Sequence, residues 1–430
     1  LQCPTKPCVA GCPVEIDIPG FVKAIAEGRD GDAIAIIKRT SLLPSVCGRV
    51  CPQETQCMEK CTLGKIRKDM QQSVAIGRLE RYAADLEREA GRALPPPVKP
   101  ATGRKVAVIG GGPASITFAV DVRREGHEVT LFEALQKPGG VLMYGIPEFR
   151  LPKAIVETEI DNLRKMGVEI RTNFVIGRSR PLKTLRTEDG YSAAFIGTGA
   201  GLPKFMDIPG ENFVGVFSAN EYLTRANLMK AYDAERADTP ISHGKRVAVL
   251  GGGNVAMDAA RTALRLGAEK VYLVYRRTEA EMPARVEEVH HAKEEGVEFK
   301  LLQNAVRILG DDQDVVTGLE CIRYELGEPD ASGRRRPVAI PGSEFTLEVD
   351  SVIVAIGNES NPLIATTTPE IAVDKHGHIQ VDANNQTSMP GVFAGGDIVL
   401  GAATVILAMG EGRRAAASVN RMLASAPPTC

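Results

Sequence analysis

Two stretches of the chain run through the same unbroken apolar segment into a cluster of glycines. They are Lys105-Val-Ala-Val-Ile-Gly-Gly-Gly-Pro-Ala-Ser115 and Lys245-Arg-Val-Ala-Val-Leu-Gly-Gly-Gly-Asn-Val-Ala-Met-Asp258. A short run that is apolar at every position predicts a strand buried on both faces, as in a parallel sheet. His127-Glu-Val-Thr-Leu-Phe-Glu133, Ala194-Phe-Ile-Gly-Thr-Gly-Ala200, Lys270 to Tyr275 and Ser351-Val-Ile-Val-Ala-Ile-Gly357 read the same way. Helical spacing dominates elsewhere. Ile18 to Ile37 predicts two short helices, the first opened by Pro19, the second with Ala33, Ile34, Ile36 and Ile37 on its apolar side. Ser73 to Glu89 predicts a third, with Ile76, Leu79, Ala83 and Leu86 on one face, and Ala403 to Leu423 a C-terminal one. Residues 297 to 345 read as strands and polar turns. Gly310–Asp314 and Glu328–Arg336 are the expected hairpin tips, with solvated arginines.

A chain of 430 residues exceeds what one core organises. The proline run Leu94-Pro-Pro-Pro-Val-Lys-Pro100 reads as a stiff linker and a boundary. The expected plan is α/β: two Rossmann-like dinucleotide-binding domains after an α-helical module. Residues 1–98 form the module, 99–238 and 346–430 the first nucleotide domain, and 239–345 an inserted second one. The strand at 351 should return the chain to the first domain, and the turn at 197–200 should lead out of it.

Composition narrows the class. Apolar residues are 43 % and charged residues 25 %, ordinary for a globular protein, and the net charge of -2 points to neither nucleic acid nor an anionic membrane. No apolar run approaches the roughly 18–20 residues of a membrane span, and no export signal is present, so a cytoplasmic location is expected. The chain starts at Leu1 without a Met, which suggests a front end trimmed from a longer protein.

The glycine clusters suggest phosphate cradles. Gly110 and Gly112 match the first two glycines of G-x-G-x-x-G, with Ser115 at the third place. Pro113 and Ala114 open the following helix, whose N-terminus favours a pyrophosphate. Glu133 ends the next strand, where a carboxylate can bind a ribose hydroxyl pair. Gly395-Gly396-Asp397 lets backbone approach a pyrophosphate, Asp397 can accept from a ribityl hydroxyl, and Ala403, Thr404 and Val405 begin a helix toward the ring. FAD is the expected ligand of this set. Gly139 to Lys153, apolar yet rich in glycine and proline, reads as a loop over that ligand, bringing Gly140, Gly145 and Arg150. Thr198 and Gly199 add the turn after a strand.

The second cradle, Gly251, Gly253, Asn254, Val255 and Asp258, is followed by a strand ending in Arg276-Arg277. A carboxylate there would repel a 2′-phosphate, whereas a guanidinium pair clamps it, so NADP(H) is expected; a solvated pair is the plain alternative. Glu281-Met-Pro-Ala-Arg285 should begin a helix facing the nicotinamide.

Seven of the nine cysteines fall early: Cys3, Cys8, Cys12, Cys47, Cys51, Cys57 and Cys61. Disulfides suit secreted mini-domains, not a large chain with nucleotide loops. Zinc prefers repeated C-x2-C pairs. Clustered thiolates followed by proline, as at Cys12-Pro13 and Cys51-Pro52, suit 4Fe–4S cubanes. No C-x-x-C lies beside the flavin segments, which argues against a disulfide reductase.

Four stretches carry a family resemblance: Cys-Pro-Val-Glu-Ile-Asp-Ile-Pro at 12–19, Gly-Arg-Val-Cys-Pro-Gln-Glu at 48–54, Tyr-Gly-Ile-Pro-Glu-Phe-Arg-Leu-Pro-Lys at 144–153, and Gly-Gly-Gly-Asn-Val-Ala-Met-Asp at 251–258. With them the chain resembles, over essentially its whole length, the small (β) subunit family of NADPH-dependent glutamate synthase. It is equally similar to the large subunit of NADH-dependent ferredoxin:NADP oxidoreductase, a bifurcating transhydrogenase. Its front is similar to that of dihydropyrimidine dehydrogenase. The resemblance implies two 4Fe–4S clusters: one on Cys3, Cys8, Cys61 and a cysteine before Leu1, the other on Cys12, Cys51, Cys57 and Glu80, with Cys47 as rival to Glu80. It implies an electron-transfer oxidoreductase in which no side chain acts as acid or base. Electrons would pass between NADP(H), FAD and clusters to a second subunit: an FMN-bearing amidotransferase, or a small flavoprotein subunit with ferredoxin. A non-catalytic cluster-bearing assembly subunit is the reading from another class, against which the intact loops count.

Overall fold

Prolines open helices of the N-terminal module, and one of these also has an Asp cap. The computed structural model describes residues 3–233, 235, 237–241, 244–329 and 333–425. Helix α1 (Ile18–Ala26) carries a proline in its first turn, and the Asp17 side chain accepts from the Gly20 N–H. Helices α2 (Asp30–Lys38), α3 (Pro44–Val50), α4 (Thr62–Arg67) and α5 (Ile76–Glu89) follow. Phe21, Ile37, Leu43 and Val46 form the module's core. Gly48 lets α3 and α5 touch, since a Cβ there would lie 2.6 Å from the Arg81 nitrogen. Arg49, buried beside it, grips both oxygens of Asp85 at 2.9 and 2.8 Å. The buried side of α5 differs from its apolar spacing: Glu80 is buried with Ile76, Ala83 and Ala84, while Leu79 and Leu86 are half-buried.

The first nucleotide fold begins with β1 (Lys105–Ile109), α6 (Pro113–Arg124), β2 (Glu128–Phe132), β3 (Glu169–Arg171) and β4 (Ala193–Ile196). The second contains β5 (Val216–Ser218), β6 (Arg246–Leu250), α7 (Asn254–Arg265), β7 (Lys270–Tyr275), α8 (Val286–Glu294), β8 (Glu298–Leu301) and β9 (Ser351–Val354). The chain closes with β10 (Val392–Ala394) and α9 (Val405–Ser425). The first sheet has the order β10-β4-β1-β2-β3 and the second β5-β9-β6-β7-β8, parallel throughout. Between β8 and β9 lies an antiparallel sheet of Gln303–Gly310, Val316–Pro329, Arg335–Ala339 and Phe345–Leu347. Its first turn falls at the expected 310–314; residues 330–332 of the second expected tip lie outside the described residues.

The chain forms two compact units. One comprises Leu1–Met143, Glu148–Ala200 and Glu359–Cys430; the other comprises Tyr144–Pro147 and Gly201–Asn358. The 351 strand corrects the expected boundaries of 239 and 345. It pairs with β5 and β6, Val352 opposite Val216 and Ala248, and so belongs to the second sheet. A strand buried on both faces is apolar at every position whichever parallel sheet holds it, so its sequence could not say which. The exit near Ala200 agrees with the unit boundary.

Candidate functional site

In the first unit, three separate stretches meet at the N-terminus of α6. Gly110 takes φ +96°, and a Cβ there would lie 2.5 Å from the Gly197 carbonyl oxygen, so only glycine fits the turn. Gly112 caps α6, Pro113 opens it, and the space a Gly112 Cβ would enter is open. Gly140 packs on the same loop, with a Cβ position 2.8 Å from the Gly112 Cα. The Gly395 N–H donates to the Ile196 carbonyl at 3.1 Å, and Gly396, at φ +81°, faces Ala114. Helix α9 crosses here at backbone contact: a Cβ on Gly412 would lie 2.2 Å from the Ala114 oxygen.

Glu133 ties this loop down. Its carboxylate accepts from the Gly111 and Leu135 N–H groups, both at 2.8 Å. Burial raises its pKa, and those N–H groups work against the rise. Asp397 is pushed up to about 6 by burial, opposed by the Ala403 N–H. The Thr198 hydroxyl is buried with no hydrogen-bond partner. These polar groups stand at the carboxyl ends of β2, β4 and β10, where doubly wound sheets bind ligands. They fit a dinucleotide such as FAD. Thr404 accepts from the Leu407 N–H and from Gln56 Nε2, each at 3.3 Å, just before Val405 starts α9; Ala403 and Gly199 border the same turns. Arg150 is half-buried in this unit.

Two expected residues behave differently. Ser115 is fully buried, with its Oγ where a Gly197 side chain would sit, so its small size serves strand–helix packing. Gly145 belongs to the second unit, where its carbonyl accepts from Asn227 Nδ2 at 3.2 Å.

The second cradle repeats the geometry. Gly251 takes φ +143°, with a Cβ position 2.3 Å from the Ala355 oxygen, and Gly253 caps α7. The Asn254 side chain accepts from the Arg285 N–H at 3.0 Å, and the Ala284 N–H donates to the Gly252 carbonyl at 3.2 Å. The 281–285 segment therefore lies over the loop. It is not the start of a helix, as expected, because its proline and the Arg285 cap leave α8 to begin at Val286. Val255 is part-exposed on α7 and Asp258 is buried. The arginine pair divides. Arg276 is exposed, whereas Arg277 is buried and its Nε donates to the Arg335 carbonyl at 2.8 Å. Of the expected guanidinium pair, Arg277 is thus tied through its Nε to the antiparallel sheet.

In the module the cysteines sort into two neighbourhoods. Cys8 lies within electrostatic reach of Cys61 and Cys3. Cys12, Cys51 and Cys57 share a second site with Glu80. Among the described residues no three His, Cys, Asp or Glu side chains could close on a single metal ion. Burial pushes the Cys12 thiol up to about 11, the Cys57 thiol up to about 12 and the Glu80 carboxyl up to about 8. A hydrogen bond with Cys47, then burial, raises Cys51. At the other site the Thr62 hydroxyl, 3.1 Å from the Cys3 sulfur, lowers that thiol. Burial works to raise Cys61, but N–H groups of Val74, Gly64 and Leu63 outweigh it.

Glu80 Oε1 is buried without a hydrogen-bond partner. A buried carboxylate oxygen so placed is costly unless something accepts its electron pair, and iron fits that need. Cys47 lies at this site as well, hydrogen-bonded with Cys51, and its thiol donates to the Met409 sulfur of α9 at 3.5 Å. Gln56, Thr62 and Met409 were not legible as site residues, because their partners lie far away along the chain.

Known proteins share this plan. Residues 104–412 match the pyridine nucleotide-disulphide oxidoreductase family, and residues 1–92 match the 4Fe–4S domain II of dihydropyrimidine dehydrogenase. The chain is 39 % identical to the glutamate synthase [NADPH] small chain of Azospirillum brasilense, over 97 % of this chain and 86 % of that one. The chain belongs to the glutamate synthase small-chain family. It is also 41 % identical to the NADP(+)-dependent formate dehydrogenase subunit beta of Moorella thermoacetica, over 97 % of this chain but only 60 % of that subunit. The fold is that of Mycobacterium tuberculosis FprA in complex with NADPH: the TM-score is 0.63 at 19 % identity, covering 76 % of this chain and 85 % of that one. The chain is thus an NADP-linked flavin and iron–sulfur oxidoreductase. Among the described residues no helix is long and apolar enough to cross a membrane.

Proposed function

We propose that this chain is the NADP(H)-oxidising, electron-transfer subunit of a larger oxidoreductase, of the glutamate synthase type. FAD would lie on Gly110, Gly112, Thr198, Gly396 and Asp397, and NADP(H) on Gly251, Gly253, Asn254 and Arg276. Two 4Fe–4S clusters would lie on the two cysteine neighbourhoods, Glu80 completing the inner one. When bound, FAD exchanges hydride with the nicotinamide and single electrons with the clusters.

The protein's own part is positioning. The glycine turns admit pyrophosphates, and Glu133 holds the first turn in shape through two N–H groups. Burial raises the Cys12 and Cys57 thiols, and a cluster held there would take them as thiolates. The observation that carries the reading is the seam between module and flavin fold within one unit. Cys47 meets Met409, Gln56 meets Thr404, and Arg413 donates to the Thr40 carbonyl. Helix α9, which starts at the flavin segment, is therefore also a wall of the inner cysteine site. The subunit names of the relatives support a partner subunit as the electrons' destination.

Anaerobic titration of the purified holoprotein tests this. NADPH should bleach the flavin absorbance at far lower concentration than NADH. Equal or reversed preference would contradict the assignment of Arg276, and no bleaching by either would contradict the function.

A further inference from the structure

Helix α9 buries a carboxylate among apolar and small residues. Glu411 is 4 % exposed, and its buried neighbours along the helix include Ile406, Ala408, Met409, Ala415 and Val419. A charge placed there costs stability unless it is paired and hydrogen-bonded. Its two oxygens turn to different partners. Oε1 takes the guanidinium of Arg414, an exposed residue one turn further along the helix. Oε2 accepts from Asn385 Nδ2 at 2.5 Å.

Asn385 is 3 % exposed and sits at φ +59°, a conformation that Asn adopts more readily than most residues with a side chain. It brackets Ala394, the last residue of β10. The Asn385 carbonyl accepts from the Ala394 N–H at 3.0 Å, and Nδ2 donates to the Ala394 carbonyl at 3.2 Å. Gly395, Gly396 and Asp397 follow at once. Glu411 lies directly behind the first of them, since a Cβ on Gly395 would come 3.0 Å from the Glu411 Cβ. An apolar side chain at 411 could fill the same space but could not hold the Asn385 amide, and through it the end of β10.

We propose that Glu411 and Asn385 are positioning residues for the flavin: a buried clamp that sets the Gly395–Asp397 turn against α9, and with it the reach of Asp397 toward a ribityl hydroxyl. This rests on the FAD reading above and adds two residues that act through the turn. Met409, two residues before Glu411, meets Cys47, so the clamp ties the flavin turn to the helix that walls the inner cysteine site.

The test uses the holoprotein, with FAD affinity read from the flavin fluorescence released on dilution and the flavin's surroundings read from visible circular dichroism. Glu411→Ala and Asn385→Gly should each weaken FAD binding by about ten-fold or more, the worth of a hydrogen bond to a charged group. Glycine at 385 keeps the positive φ, so the amide is what is lost. The double variant should bind FAD about as weakly as Asn385→Gly alone, because both changes remove the same bond. Glu411→Gln, which can still accept from Asn385, should recover most of the affinity and the parent dichroism. Iron content and NADP+ affinity should stay as in the parent throughout. Single effects that simply multiply in the double variant would overturn the clamp. So would a lowered melting temperature with FAD affinity and dichroism unchanged, since Glu411 would then serve packing alone. A parent apoprotein that takes up no FAD would instead overturn the flavin reading on which the clamp rests.

Discussion

Glu80 and Cys47 compete for one place beside Cys12, Cys51 and Cys57, and their surroundings decide between them. Glu80 offers a buried oxygen without a hydrogen-bond partner among the described residues; Cys47 already bonds Cys51 and donates to the Met409 sulfur. Glu80→Ala should therefore lower iron content and alter one cluster signal in electron paramagnetic resonance, while Cys47→Ala keeps both. Iron lost from Cys47→Ala and kept in Glu80→Ala would reverse the assignment. The arginines divide in the same way. Arg276→Ala should raise the KM for NADPH by about ten-fold or more, the worth of a charge-assisted hydrogen bond, with little effect on NADH. Arg277→Ala should instead lower thermal stability with a smaller effect on KM, because Arg277 holds the Arg335 carbonyl. The glycines with positive φ and Glu133 at the strand end were readable from residue type and spacing, whereas the division of the cysteines came only from the family resemblance. The fate of Arg277 was not readable, since its partner arrives from a hairpin far along the chain. Nor was the packing role of Ser115, which depends on Gly197 across the sheet.

Among elements, α9 is held by close backbone approaches on two sides. It approaches α6 at Gly412 and the module at Gly410, where a Cβ would lie 3.0 Å from the Pro13 oxygen. Gly412→Val should push the helices apart, lower the melting temperature by an amount equivalent to about 1–3 kcal/mol, and weaken flavin retention. A second seam joins α2 to the helix Lys153–Lys165. There Glu159 is pushed up to about 7 by burial, with Lys38 and Asn162 drawing it down and Glu87 adding to the rise. A carboxyl whose folded pKa exceeds its ordinary 4.5 contributes most below about 4.5, and that contribution is lost as pH rises through about 7. Glu159→Gln should thus melt close to the parent near the acid end and above it on the alkaline side; parallel curves would show that the carboxyl does not titrate there. Helices and strands were legible as elements because their apolar periods are strong. The sheet that owns β9 was not, because pairing partners are a property of topology.

The whole molecule joins two-electron nucleotide chemistry to one-electron carriers. The chain divides into two compact units, the second spanning Tyr144–Pro147 and Gly201–Asn358 rather than the expected 239–345. The module and the flavin fold share one compact unit. The central claim is that flavin and clusters exchange electrons within this chain. Photoreduced holoprotein mixed anaerobically with NADP+ tests it, with flavin absorbance and cluster paramagnetic signals followed together. The account predicts that NADP+ reoxidises both in step. Flavin reoxidised while every cluster signal persists would contradict it.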